Sequence, residues 1–351
     1  MADIDVPQAA PDDSSRAVEM RSEVGSRSEV GSHSEVGLRP EVGLRPAQES
    51  SGTAKTRRGL VTRRFLGHRG GLAGLTVFLL TLMLAFSSIG VLGLPGWWQH
   101  SYATTGTVVD GGVPTLSLWP PALGSHPFGQ EDVGRDYFAL TMRGAQRSIL
   151  IAGLVGVVST VLGVLAGALA GYFRGWVDGV LMRITDVFIT IPLFLVAAVL
   201  GRIGGDGGPV RLSLLLGLLV WMSLARLVRG EFLSLREREF VEAARAMGAS
   251  SLRIIVKHIL PNSAGTIIVN ATLTVAQAIL LETTLSYVGF GVRAPDTSLG
   301  TLISDYQSAF ATRPWLFWWP GLFIVAIALS VNFIGDGLRD AFDSRRTRGR
   351  A

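Results

Sequence analysis

The chain has 351 residues, 48% of them hydrophobic, with 43 glycines, no cysteine and a formal net charge of +5. A chain this apolar is not an ordinary soluble domain and reads as a polytopic membrane protein, while the lack of cysteine excludes disulfides, thiolate metal sites and cysteine nucleophiles. The positive charge admits a nucleic-acid partner, but the basic residues cluster beside apolar runs, which assigns them to the bilayer and argues for no nucleic acid.

Residues 1–59 are polar, without helical or strand period, and are expected to form a disordered tail. Within it a Glu-Val-Gly core recurs every six residues over 21–44. The spacing is similar to that of left-handed β-helix coils. Four copies bury almost nothing, however, and Pro40 and Pro46 interrupt them, so disorder is the stronger reading. Arg57, Arg58, Arg63, Arg64 and Arg69 follow, just before the first apolar run near Leu72. No cleavable signal peptide opens the chain, and that run reads as a retained anchor.

A membrane domain is expected over 60–343, with a basic tail at 344–351. Six apolar runs reach the ~17–25 residues needed to cross a bilayer; they lie at about 72–94, 146–171, 177–200, 211–230, 263–288 and 317–337. The fold class expected is therefore an all-α polytopic bundle of six transmembrane helices. The excess of arginine before the first span, between spans 4 and 5 and after span 6 places both termini in the cytoplasm. Trp97, Trp98, Trp315, Trp318 and Trp319 then fall at the outer interface, where amphipathic rings sit. The second span carries Gly163, Gly167 and Gly171, four apart on one face, a signal for close helix packing. About 50 residues join spans 1 and 2, and a loop of that length is commonly functional.

A polar island at 231–262 separates spans 4 and 5. Glu239 and Glu242 lie among Arg236, Arg238 and Arg245, which reads as surface ion pairing and not acid–base catalysis. His258 has no second ligand beside it for a metal. Residues 242–247 form a short helix with Ala243 and Ala244 on its surface, small enough for close approach to a partner. Gly248 supplies a turn. Leu252, Ile255, Val256 and Ile259 recur at helical spacing, giving a second amphipathic helix, and Pro261 opens the next span.

Glu242-Ala243-Ala244, three residues, Gly248, then a segment ending in Leu260-Pro261 resembles the EAA loop of ABC-importer permeases. Further stretches at 126–136, 171–178, 225–230 and 335–340 are similar to dipeptide/oligopeptide permease subunits of the C type, across roughly 60–343. His258 stands where the general loop consensus has Ile, and Leu299 where Trp is expected. The resemblance implies the type I ABC-importer permease fold and makes Glu242, Ala243, Ala244, Arg245, Met247, Gly248, Leu260 and Pro261 the residues that meet a separate ATP-binding subunit. It further implies a second, homologous permease in a heterodimer, an extracytoplasmic substrate-binding protein, the bacterial inner membrane and its lipid, and transport by alternating access. Neither Lys55 nor Lys257 follows a glycine, so this sequence holds no phosphate-cradling G-x-x-x-x-G-K-[ST] loop. ATP and Mg are therefore expected on partner subunits, with no cofactor or metal on this chain and no enzyme activity of its own.

Span 5 carries Ser263, Thr266, Asn270, Thr274, Gln277 and Thr284 within about 40° of one line down the helix. Such a stripe either faces a water-filled path, giving Asn270, Thr274, Gln277 and Thr284 to translocation, or hydrogen-bonds a neighbouring helix. Asp186 and Glu282 lie at membrane depth. Arg183, one turn before Asp186, is the expected partner of the first, and both acids read as structural. Two alternatives remain: an importer of nickel chelate, glutathione or another small solute, and a proton-driven secondary transporter using Asp186 or Glu282. An intramembrane enzyme finds no motif to support it.

Overall fold

A computed structural model describes residues 54–91, 93–118, 121–203 and 208–342. The hexapeptide repeats and the basic 344–351 tail lie outside the described residues. The described residues are mostly helical. A first helix, α1 (Ala54–Leu66), occupies the end of the segment expected to be structureless, and α2 (Arg69–Ser88) follows. His68 Nδ1 caps α2 by accepting from Gly71 N–H at 2.8 Å. Span 1 was expected to reach residue 94, but α2 stops at Ser88. Gly90 and Gly93 both adopt positive φ there and turn the chain into a two-stranded hairpin, β1 (Gly90–Val91) with β2 (Leu94–Pro95). A second small hairpin, β3 (Ser117–Leu118) with β4 (Pro121–Ala122), lies in the long connection.

Asp136 closes that connection and starts α3 (Tyr137–Phe173), nine residues before the expected span. Its carboxylate accepts from Ala139 N–H, Trp98 Nε1 and His126 Nδ1, each at 2.8 Å. One residue thus caps the N-terminus of α3 and fixes the loop over it. α4 (Gly175–Thr190) and α5 (Leu193–Ile203) meet at 83°, where a single span 177–200 was expected. Pro192 removes a backbone donor and pushes Ile191 into extended φ/ψ, which breaks the helix. α6 (Gly208–Val220) and α7 (Met222–Arg236) are bent by 46° at Trp221. The remainder comprises α8 (Glu239–Ala246), α9 (Ser251–Ile254), a π-turn (Ile255–Ile259), α10 (Leu260–Tyr287), α11 (Leu299–Tyr306) and α12 (Trp315–Phe342). Four straight runs, at Arg69–Ser88, Tyr137–Phe173, Ser251–Tyr287 and Trp315–Phe342, are long and apolar enough to cross a bilayer. The count reaches six when each bent pair is one span. The chain is an all-α polytopic membrane fold.

α3 is central and lies against α2, α6, α7 and α10. The glycine row on it explains one of these contacts. A Cβ on Gly167 would sit 2.5 Å from the Ala225 carbonyl oxygen, and one on Gly171 2.6 Å from Phe232 Cβ. Only glycine lets the backbones of α3 and α7 approach so closely. Val157, Val161 and Leu165 on α3, with Leu322, Val325 and Leu329 on α12, point outward and exposed. These apolar stripes suit contact with lipid. At one end of the bundle, the aromatic end, Phe128 stacks on Trp319 at 3.8 Å and Phe138 packs against Trp98 at 4.8 Å. The opposite end carries the polar island.

Candidate functional site

α8 is amphipathic, and its inner face is small. Val241 and Ala244, three residues apart and on one face, are 0% and 1% exposed in a core shared with Tyr172, Val228, Phe232, Ile254 and Ile259. Ala244 therefore does not lie on the surface with Ala243, as expected. The 100° step between successive helical residues turns it inward beneath Val241. The outer face shows Glu239, Glu242, Ala243, Arg245 and Ala246, and Met247 just beyond them is 80% exposed.

A glycine ends the helix by geometry alone. Gly248 holds φ at +78°, its N–H donates to Arg245 O at 3.0 Å, and Ala249 N–H donates to Ala244 O at 3.0 Å. This pair of bonds is the Schellman arrangement, which satisfies the last carbonyls of α8.

The next segment departs from expectation. Instead of a separate amphipathic helix and a new start at Pro261, Ser251–Tyr287 forms one continuous run. Pro261 has no N–H to bond the Lys257 carbonyl, and an α-turn would press its ring against that carbonyl. The backbone widens to a π-turn over Ile255–Ile259, with Leu260 N–H bonding Ile255 O. The island hairpin is thus an extension of α10. Leu260 is half-buried and Pro261 exposed on this run.

The charges of the island are mostly free. Among the described residues Glu239, Glu242, Arg238 and Arg245 form no ion pair, contrary to the expected surface pairing. Arg236 turns inward instead and donates to the Tyr172 carbonyl, with its guanidinium over the Tyr172 ring. Arg174 pairs with Glu237 and holds that carboxyl below the usual carboxylate range. Two further ion pairs escaped the sequence reading. Arg229 grips Asp178 with both nitrogens, at 2.5 and 2.6 Å, and Arg226 reaches Asp186 at 2.5 Å. They fasten α4 to α7. The partner of Asp186 is therefore Arg226 and not Arg183. No spacing on either helix marks these pairs; the packing of α4 on α7 brings them together.

The polar stripe of α10 divides in two. Ser263 is fully buried and donates to Leu260 O, while Thr266 donates to Glu231 of α7 at 3.0 Å. Further along, Asn270, Thr274 and Thr284 return hydrogen bonds to carbonyls one turn back, at 2.7–2.9 Å. Gln277 and Thr284 are exposed, and Gln277 makes no hydrogen bond among the described residues. Bonding to another helix is seen for Thr266; Ser263 is buried, Asn270 and Thr274 are half-buried, and Gln277 and Thr284 are exposed. Glu282 lies on another face, fully buried, accepting from Ser148 Oγ at 3.0 Å and Ser286 Oγ at 2.7 Å. Ser148 Oγ in turn accepts from Leu299 N–H at 3.2 Å, which ties α3, α10 and α11 together.

Comparisons with known proteins match this architecture. Residues 163–348 fit the family model described as binding-protein-dependent transport system inner membrane component. The oligopeptide transport system permease protein OppC of Mycobacterium tuberculosis is 44% identical over 289 residues, 82% of this chain and 94% of that protein. A putative peptide permease protein of Brucella suis is 39% identical over 80% of this chain and 89% of its own length. The OppC protein of Bacillus subtilis is 35% identical over 80% and 88%. A chain of the inward-facing MetNI methionine ABC transporter covers 58% of this chain and 97% of its own at 21% identity, with a TM-score of 0.49, too loose to carry an argument. On the family match and the three relatives, the chain belongs to the binding-protein-dependent transport system inner membrane components, the permease subunits of ABC importers, and is a multi-pass transport subunit and not an enzyme.

Proposed function

We propose that this chain is the peptide-translocating permease of an ATP-driven importer for di- and oligopeptides, and that 242–261 is the handle by which a separate ATPase moves it. One observation carries the reading: α8 is anchored by Val241 and Ala244, and the segment after it runs without a joint into α10. A force on the outer face of α8 passes through the Gly248 turn and the π-turn into a membrane-crossing helix that bears a polar stripe. Glu242, Ala243, Arg245 and Met247 are the contact surface. Their unpaired charges are available to complementary groups on the ATPase. Ala244, Gly248, Leu260 and Pro261 hold the handle in shape. Asn270, Thr274, Gln277 and Thr284 line one wall of the path, with the other wall on a second, homologous permease in a heterodimer. An extracytoplasmic binding protein delivers the peptide at the aromatic end, and ATP and Mg act on the ATPase. The island and both termini face the cytoplasm of a bacterial inner membrane, in keeping with the arginine distribution. The names of the 35–44% identical relatives support peptides as cargo.

A proton-driven carrier is less well supported, because Asp186 is engaged by Arg226 and Glu282 by two serines. The test is to purify the chain with its native partners and identify both the associated subunits and the ligand retained. ATP-dependent uptake of a short peptide, insensitive to an uncoupler, is the expected outcome. A functional complex without an ATPase overturns the reading.

A further inference from the structure

Arg183 lies on α4, about 12 Å along that helix from Gly175 and within the apolar bent span it forms with α5. It is exposed and forms no ion pair or hydrogen bond among the described residues. Its neighbour Asp186 is taken by Arg226 at 2.5 Å, and both side chains of that pair are nearly half exposed. Two positive charges and one negative thus stand open at membrane depth. Charged groups are costly against hydrocarbon and meet water or an opposite charge there instead.

The polar groups of α4 keep to one side of the helix. At 100° per residue, Arg183, Asp186 and the exposed Thr190 fall within about 60° of one line. The exposed Ile184 and Phe188 lie about 100° and 140° round the helix from Arg183. The first side suits water, the second an apolar neighbour. Through α7 the charged side is joined to the polar stripe of α10: Arg226 holds Asp186, and five residues on Glu231 accepts from Thr266 Oγ1 at 3.0 Å. Because Arg226 occupies Asp186, the guanidinium of Arg183 stays free.

We propose that Arg183 binds the C-terminal carboxylate of a peptide in transit. The three charges carry a net +1, which one carboxylate neutralises. A carrier of peptides of varied sequence can hold only groups that all of them share, and the terminal carboxylate is one. The inference rests on the peptide-importer reading and deepens it by naming the group that is recognised. The test reconstitutes the full complex in vesicles and follows ATP-driven uptake of a tripeptide with a free C-terminus. Arg183→Gln should cut uptake about tenfold, the effect of one charged hydrogen bond, while Arg183→Lys should keep most of it. Position is read separately through Val187→Cys, one turn from Arg183 and the sole thiol in this otherwise cysteine-free sequence. A tripeptide with a thiol-reactive group on its C-terminal residue should label that cysteine several-fold faster than one with the group on its N-terminal residue, and adding Arg183→Gln should erase the difference. Unchanged uptake by Arg183→Gln, or equal labelling by the two peptides with Arg183 in place, overturns the carboxylate site and leaves the importer reading standing. So does cross-linking of Val187→Cys to the second permease without labelling by either peptide, which would make Arg183 one half of a pair between subunits. No ATP-driven peptide uptake by the unaltered complex overturns the importer reading and this site with it.

Discussion

Gly248→Ala and Gly248→Pro perturb the same turn to different extents. No atom lies within 4 Å of a Cβ built on Gly248, so alanine meets no clash there. Its penalty is conformational: φ of +78° costs an L-residue about 1–2 kcal/mol. Proline cannot adopt that φ at all, and it removes the N–H that bonds Arg245 O at 3.0 Å. The lost bond is worth about 1 kcal/mol, and with the forced backbone change the total reaches about 3 kcal/mol or more. At 1.4 kcal/mol per factor of ten, that shifts the hairpin away from its native position by a factor of about 100. Insertion is followed by protease protection, ATPase retention by co-purification and function by ATP-driven uptake into vesicles. Gly248→Ala should insert, keep the ATPase and transport several-fold more slowly. Gly248→Pro should insert but lose the ATPase or hydrolyse ATP without uptake. Normal uptake by Gly248→Pro would refute the role of the turn.

Other outcomes follow from the same geometry. Asn270→Leu with Gln277→Leu should sharply reduce peptide uptake while leaving assembly intact, because Gln277 is exposed and makes no hydrogen bond among the described residues; unchanged uptake makes the stripe a packing feature. Glu282→Gln should fold and transport nearly normally, since an amide still serves the Ser148 and Ser286 hydroxyls. Glu282→Ala should lower stability by about 2–4 kcal/mol, from the cavity and the stranded hydroxyls; equal denaturation midpoints for the two variants contradict this. In the loop before α3, burial and the nearby Asp132 and Asp305 outweigh the Arg135 pairing and push the Glu131 carboxyl up to about 7. The fold thus favours the protonated acid, so its contribution to stability is full below the ordinary carboxylate value near 4.5 and is lost as pH rises through about 7. Protection factors of the amides around 126–137, taken relative to the intrinsic exchange rate at each pH, should be larger at pH 5 than at pH 8, and Glu131→Gln should remove that difference.

The legible parts of this protein were those governed by one-dimensional rules. The length of an apolar run, the glycine row of α3 and the Gly248 turn each constrain the chain locally, and each reads directly from residue type and spacing. Where two elements meet, local rules were blind. Ala243 and Ala244 are chemically identical, and only the side on which Val241 meets Phe232 and Ile259 decides which of them is buried. Arg183 lies nearer Asp186 in sequence than Arg226 does, yet α7 brings Arg226 to it. Pro192 breaks an apolar run that its length alone reads as a single span. The π-turn before Pro261 has no composition of its own; it arises because the hairpin core and α10 are packed on both sides of a residue without an N–H.

The central claim, that the outer face of α8 receives an ATPase, is open to a direct measurement. Because the sequence contains no cysteine, single thiols can be placed at Ala243, Ala244 and Met247 and cross-linked in the native membrane complex. Cross-links to the ATP-binding subunit from Ala243→Cys and Met247→Cys, their yield changing with ATP, and none from the buried Ala244→Cys, are the predicted result. Absence of any cross-link from Ala243→Cys and Met247→Cys in a complex that still transports would contradict it.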